Sequence, residues 1–332
     1  RISLDEVIET PVSLEGKAAV AEWNLEAIHA PDLWSDGIDG AGVVIGSMDT
    51  GVDETHPDLA ASYRGGGNSW YDPYDEHADP HDRSGHGTQA MGVMVGGSAG
   101  GSAIGVAPGA QWIACNAIDQ GVNPDFDNDI ITAFEWFADP DGDPGTIDDV
   151  PDVVQNSWGV FEGLGYPDCY TYWWNVIDNC EAAGVVVTWS AGNEDYDGLR
   201  SPADRATTLY NCFSVGSTIY SPPYTVSSFS SRGPSTCPGI IFPEYAIKPE
   251  VSAPGSDIYS SLPGGSYGYK SGTSMAGPHV AGVVALIRSV APDMEVDLVK
   301  QILMDTCVDL GNPGEDNDYG HGIIDAYEAV LY

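Results

Sequence analysis

The sequence predicts an α/β fold, a three-layer α/β/α domain built on a mostly parallel central sheet. Three observations carry that expectation. Short apolar runs without polar alternation recur along the chain, as strands covered on both faces require. Amphipathic helical patterns separate these runs, so strand and helix alternate. No internal repeat and no low-complexity linker interrupts the alternation, which makes one domain the better count.

The elements follow in order. Residues 43–48 form the first apolar run and lead directly into Asp49. Comparable runs occupy 111–118, 153–157, 185–190 and 213–217. Helical patterns fall at 87–95, 130–138, 172–183, 276–290 and 295–307. Aspartate-rich loops at 125–129, 139–149 and 315–318 break the pattern. The chain opens at Arg1 without Met and without a basic-plus-apolar leader, so either a leading segment has been removed or the sequence starts after it.

Composition narrows the function classes. Of 332 residues, 42% are hydrophobic and 10% aromatic, ample for a core and against a disordered chain. No apolar run approaches the roughly 18 residues of a membrane span. Eleven basic residues face 50 acidic ones, a net charge of −39, which repels phosphate backbones and anionic membrane surfaces. The expectation is therefore no nucleic acid and no membrane as partner. Such a surface fits solubility first, and also calcium binding or a salt-rich habitat.

Six cysteines are too few for a disulfide scaffold. Cys169 with Cys180, and Cys212 with Cys237, lie where each pair could close a local loop. Cys115, in an apolar run, and Cys307, near the end of a helical pattern, read as small buried residues. No Cys/His spacing matches a zinc site. Two disulfides and an extracellular location are the expectation.

Four residues carry candidate chemistry. Asp49 stands at the carboxyl end of its strand, the rim of an open α/β sheet where ligands collect. His86, in Ser84-Gly85-His86-Gly87-Thr88, opens a helix of small residues, where the positive helix end disfavours imidazolium unless an acid partners it. Ser274 sits in Gly272-Thr273-Ser274-Met275-Ala276-Gly277-Pro278-His279 at the start of a long helix. Pro278 is tolerated only within a first turn, which sets the helix start close to Ser274. Asn193 ends another strand beside Gly192, where an amide donor suits an oxyanion. Singly, each fits a turn or a helix cap. The order Asp, His, Ser across an α/β sheet is one of those known for an activated serine nucleophile.

At these residues the sequence resembles the subtilisin-like serine proteases, and within them the bacillopeptidase F-type branch. The resemblance runs from Trp23-Asn24 to Ala329. It rests on Met48-Asp49-Thr50-Gly51-Val52-Asp53, Gly85-His86-Gly87-Thr88, Gly105-Val106-Ala107-Pro108-Gly109-Ala110, Asn156-Ser157-Trp158-Gly159, Ser190-Ala191-Gly192-Asn193, Lys248-Pro249-Glu250-Val251-Ser252-Ala253-Pro254-Gly255 and the motif around Ser274.

The resemblance implies a subtilisin-like fold and endopeptidase cleavage through an acyl-enzyme. Ser274 is then the nucleophile, His86 the general base, Asp49 its orienting carboxylate, and Asn193 with the Ser274 N–H the oxyanion hole. The substrate adds as a strand along Ser157, Trp158 and Gly159, with Ala191 and Gly192 across the pocket. Arg200, just before Ser201-Pro202-Ala203, falls near the pocket floor and would favour an acidic side chain before the cleaved bond. As a surface arginine it would instead pair with Asp195 or Asp197. The implied partners are protein or peptide substrates and the chain's own propeptide. The implied organisation is an N-terminal extension or propeptide remnant over 1–22 and a monomeric peptidase domain over 23–332.

Departures from the family pattern bear on metals. Gln89 replaces a second histidine. The loop 97–103 lacks the asparagine that helps hold the family's strong calcium ion, although Asp58 matches a ligand of that ion. No cofactor is implied for catalysis. A structural calcium ion has another candidate site in Asp139, Asp141 and Asp143 with Asp148, alternating carboxylates on a glycine-containing loop. Two other readings remain: an inactive homologue that only binds peptides, and an acid-active serine-carboxyl peptidase. The latter family uses glutamate where His86 stands.

Overall fold

The computed structural model describes residues 20–220, 222–237 and 243–332. The expected extension over 1–22 falls almost wholly outside them. A two-residue strand β1 (Val20–Ala21) leads into short helices α1 (Trp23–Ala27) and α2 (Ala30–Ser35). Then follow β2 (Val44–Met48), β3 (Trp70–Tyr71), α3 (His86–Val95), β4 (Ser102–Ala103), β5 (Gln111–Cys115), α4 (Phe126–Ala138) and β6 (Val153–Asn156). The second half holds α5 (Trp174–Ala182), β7 (Val186–Ser190), β8 (Phe213–Thr218), β9 (Val251–Pro254), β10 (Ile258–Leu262), β11 (Ser266–Lys270), α6 (Thr273–Val290), α7 (Val296–Asp305) and α8 (Ala326–Leu331).

Among the described residues the main sheet has seven strands in the order β3-β5-β2-β6-β7-β8-β9, every neighbouring pair parallel. This is the three-layer α/β/α arrangement expected. Strand residues alternate between two cores. Ile45, Val153 and Val186 face the core shared with α3, α6, α7 and α8. Met48, Val154, Val187 and Trp189 face the core shared with α4 and α5. Both faces are covered, which is why the runs carry no polar residue every second position. A full burial of one such valine is worth roughly 1.5–3 kcal/mol, so neither face can turn polar cheaply.

Three differences from the sequence reading have local causes. Strand β5 stops at Cys115 because the chain turns at once, Asp119 N donating to Asn116 O (2.9 Å). The acidic stretch at 125–129 is not a loop: 126–129 is the first turn of α4, where negative charge suits the helix dipole. Strands β3 and β9 and the antiparallel β10–β11 hairpin went unanticipated, being two to five residues long and partly polar.

The cysteine pairing is corrected. Neither Cys169–Cys180 nor Cys212–Cys237 forms; the disulfide joins Cys169 to Cys237, with Cα atoms 5.1 Å apart. Cys180 points from α5 into the core, and Cys212 is buried just ahead of β8, so each is held away from its sequence neighbour. Packing brings together two loops 68 residues apart. Cys115 is buried as expected, and Cys307 is half-buried with its Sγ on Leu303 O.

Candidate active site

Strand β2 delivers Asp49 to the carboxyl edge of the sheet, and α3 starts at His86 directly above it. Asp49 is 2% exposed. Its Oδ1 accepts the backbone N–H of Thr50 (2.7 Å) and lies 2.7 Å from His86 Nδ1. Asp49 Oδ2 finds no donor among the described residues. This approach needs glycine at 87, since a Cβ there would stand 2.1 Å from Gly51 O and 3.1 Å from Asp49 Cβ. Gly85 supplies the turn before the helix, with φ of 75°. The imidazole's pKa is raised above its ordinary value. The Asp49 charge is the main cause, burial opposes it, the Asp49 hydrogen bond adds to it, Lys270 opposes and Asp82 assists.

Asp82 is a positioning residue that the sequence reading did not single out. Its Oδ1 accepts from Thr50 Oγ1 (2.9 Å), Ser84 N (3.1 Å) and Gly85 N (2.8 Å). Its Oδ2 accepts from Thr88 N (2.8 Å) and Thr88 Oγ1 (2.6 Å). One carboxylate therefore takes the Thr88 amide in the first turn of α3 and two amides of the turn ahead of it, and so locks the turn that carries His86. The His86 and Gly87 amides go to Ser84 Oγ and Thr50 Oγ1. The signal was an acid in Asp82-Arg83-Ser84-Gly85, just ahead of a helix start.

Ser274 is the second residue of α6. The helix runs from Thr273, so Pro278 lies inside it, beyond the first turn where it was expected. Proline has no N–H for the carbonyl four residues back, which is that of Ser274. Ser157 Oγ takes that place, donating to Ser274 O (2.9 Å), while Ser274 Oγ donates to Ser157 O (3.0 Å). The Ser274 hydroxyl thus hydrogen-bonds the Ser157 carbonyl rather than His86.

Asn193 follows β7. Its Oδ1 accepts Thr273 N (2.8 Å) and Thr273 Oγ1 (3.1 Å). A backbone N–H can only donate, so the oxygen must face Thr273 and the Nδ2 donor points elsewhere.

These residues line one cavity of about 390 Å³, which contains Asp49, His86, Ser157, Trp158, Gly159, Asn193, Arg200 and Ser274. Ala191 and Gly192 are buried behind Asn193. An apolar wall that the sequence reading missed completes it: Ile118, Val122, Phe126, Val160 and Leu164. These residues come from segments too distant in sequence to show a shared face. A larger recess of about 490 Å³, between Glu181, Arg288 and residues 293–297, contains none of these groups.

Arg200 reaches the cavity, but neither Asp195 nor Asp197 is its partner. Its Nε bonds both Glu194 oxygens (3.0 Å each), Nη2 bonds Oε1 (2.5 Å), and the guanidinium lies 4.7 Å over Phe161. Nη1 has only a long contact to Gly159 O (3.5 Å). Asp195 pairs with Arg232 instead (3.2 Å). Glu194 wins because its Oε2 also accepts Asn193 N (2.8 Å) and so already faces inward.

The metal candidates are not brought together. Asp139, Asp141, Asp143 and Asp148 do not converge on a common point; Asp141 is spent on Asp143 N (2.8 Å) and Thr146 Oγ1 (3.1 Å). Asp58 is also occupied, its Oδ1 by Ala99 N (2.5 Å) and its Oδ2 by Tyr267 OH (2.7 Å). Gln89 bridges the hairpin through Ile258 O (3.1 Å) and Gly268 O (3.2 Å). Cys169, Cys237 and Asp204 do cluster, but both sulfurs are consumed by the disulfide.

Comparison with known proteins shows the family. Residues 40–322 match the model of the subtilase family. Over 93% of its length the chain is 39% identical to bacillopeptidase F of Bacillus subtilis (strain 168), of which it covers 22%. It is 33% identical to subtilisin E of the same organism, over 93% of this chain and 71% of that protein. It is 32% identical to a subtilisin of Bacillus pumilus, over 93% of this chain and 98% of that protein.

Proposed function

The chain is a subtilisin-like serine endopeptidase domain of the subtilase family, and from that premise we propose that Ser274, His86 and Asp49 perform the cleavage. The pairing of His86 Nδ1 with Asp49 Oδ1, in the cavity that also holds Ser274, is the observation that carries the reading. The Asp49 bond keeps the proton on Nδ1, so Nε2 is the basic nitrogen. A rotation of the Ser274 side chain off Ser157 O hands its proton to Nε2 as Oγ attacks the scissile carbonyl. His86 then protonates the leaving amine, and water deacylates the enzyme by the same route. Asn193 Nδ2 and the Ser274 N–H take the developing oxyanion.

The peptide adds as a strand along Ser157, Trp158 and Gly159, with Ala191 and Gly192 opposite. Nη1 of Arg200, held only by the long contact to Gly159 O (3.5 Å), gives the pocket a donor for an acidic side chain before the cleaved bond, tempered by the charge of Glu194. We place the peptidase domain at 23–332 because Asn24 Nδ2 bonds the buried His279 on α6 (2.8 Å), tying α1 into the core. The disulfide supports action in an oxidising, extracellular setting; maturation by removal of a propeptide is what membership of the family implies.

Labelling with an organophosphonate tests this function. Wild type is expected to incorporate one equivalent and lose peptide hydrolysis, and Ser274→Ala to incorporate none. A protein that binds peptides yet neither labels nor cleaves them is the inactive homologue instead.

A further inference from the structure

Arg200 and Ser201 are bonded to both walls of the proposed substrate pocket. Arg200 N donates to Ala191 O (3.1 Å), and Ser201 and Val160 exchange two backbone bonds of 2.9 Å each. Behind them stands Asp204, 6% exposed. Its Oδ2 accepts Ser201 Oγ (2.6 Å) and Cys169 N (2.8 Å). Its carbonyl accepts Ser235 Oγ (2.5 Å), which itself accepts Cys237 N (3.2 Å). Both halves of the Cys169–Cys237 disulfide therefore grip Asp204, one directly and one through Ser235, and Asp204 grips the pocket segment.

The grip depends on the disulfide. Neither cysteine sits on a helix or strand. Cys169 has a φ of 56°, a left-handed conformation that a residue with a Cβ keeps only where its surroundings hold it. Its loop carries Phe161, on which the Arg200 guanidinium stacks, and Leu164, part of the cavity wall. The hydroxyls of Tyr166 and Tyr170 fasten that loop separately to Asp127 (3.1 and 2.7 Å), so opening the disulfide loosens its pocket side without releasing it altogether. A recess of about 300 Å³ lined by Asp168, Asp204, Ser235 and Thr236 lies beside both half-cystines and gives a small reductant a way in.

We propose that the Cys169–Cys237 disulfide is a redox-sensitive strap on the substrate pocket, acting through Asp204 and Ser201, and that its reduction weakens peptide binding and selectivity while sparing the chemistry at Ser274. The reductant is a small dithiol: the S–S bond breaks, two electrons and two hydrogens pass to the sulfurs, and the dithiol closes to its own cyclic disulfide. The effect on cleavage rests on the proposed function, whereas the mechanical link from disulfide to pocket does not.

The experiment compares the whole chain oxidised and in dithiothreitol, reduction being verified by two additional thiols in denaturant. With matched peptides, KM should rise about tenfold on reduction, kcat should stay within about threefold, and the preference for Glu over Phe should shrink. A fluorophosphonate without a peptide arm should label Ser274 equally fast in both forms, which general unfolding would not allow. Cys169→Ser/Cys237→Ser should behave as the reduced protein and ignore dithiothreitol. With the disulfide intact, Asp204→Ala should raise KM similarly, while Asp204→Asn, which keeps an acceptor for both donors, should stay within about twofold of wild type. Amide exchange at Val160 and Ser201, followed in Ser274→Ala, should be about tenfold faster or more after reduction, a readout that needs no catalysis. Unchanged KM and selectivity on reduction, equal exchange in the two forms, or labelling lost in step with cleavage would each overturn the proposal. Oxidised wild type that neither labels nor cleaves would refute the proposed function instead, and the exchange rates would still decide the strap.

Discussion

Ser157 and Ser274 exchange a pair of hydrogen bonds, each hydroxyl donating to the other residue's carbonyl, at 2.9 and 3.0 Å. The exchange exists because Pro278 cannot donate to Ser274 O, so a side chain from β6's end fills the position. It fixes the start of α6 against the strand along which the substrate is proposed to lie.

Removing the Ser157 hydroxyl therefore separates positioning from chemistry. Ser157→Ala should cost about 1 kcal/mol of stability by leaving Ser274 O without its donor. Its kcat should fall by no more than about tenfold. Ser274→Ala should fold and lose turnover by about 10⁶-fold, a magnitude taken from subtilisin itself. Denaturant midpoints and burst-phase kinetics check both; equal kinetic losses in the two variants would refute the division of roles.

The acid limb of the pH profile should report His86. The base must be neutral to accept a proton, so kcat/KM should fall as pH drops through a pKa above the ordinary imidazole value. Three charged groups act on the ring: Asp49 and Asp82 raise its pKa and Lys270, whose Nζ bonds Gly85 O (3.0 Å), lowers it. Lys270→Met should move the acid limb to higher pH, and Asp82→Asn to lower pH, with the alkaline plateau of the lysine variant little changed. A limb that stays put in Lys270→Met would show that His86 does not set it.

Specificity should depend on the Arg200–Glu194 pair. Arg200→Ala should lower the ratio of cleavage after Glu to cleavage after Phe by about tenfold, a charged hydrogen bond discounted for its partial exposure. Glu194→Gln should raise that ratio by freeing the guanidinium. Matched peptide substrates measure both, and ratios within twofold of wild type in Arg200→Ala would end the assignment.

Stability should decline in mild acid through His279. It is fully buried between Asn24 and Met275 O (2.8 Å each), and burial lowers its pKa from 6.5 to about 4 despite the Met275 bond. The folded state thus refuses a proton that the unfolded chain accepts. This contribution is whole above pH 6.5 and is lost as pH falls toward 4. The lost amount is about 3 kcal/mol. Denaturation of the Ser274→Ala protein between pH 7 and 4.5 should show this slope, flattened in Ser274→Ala/His279→Gln; identical slopes would exclude His279 as the cause.

Much of the fold was readable because its signals are local. The apolar runs at β2, β5, β6, β7 and β8 announce strands buried on both faces, and Asp49, His86, Asn193 and Ser274 stand at strand ends and helix starts named in advance. Gly85 acts through a backbone constraint its own turn sets, whereas Gly87 is required by Gly51 O and Asp49 Cβ across the site, and Pro278 lies past the first turn in which it was expected. Short strands such as β3 and β9 left no periodicity to read.

Partners across the chain were a different matter. Cys169 found Cys237, Arg200 found Glu194, Asp82 closed the turn of α3, and Asp129 was left with a bare oxygen. Composition and spacing offered each of these groups several candidates of equal chemistry. Close packing and the cost of desolvating a charge choose among them, and both act only in the folded chain, whether the partner lies 68 residues away, as for Cys169, or six, as for Arg200 and Asp82.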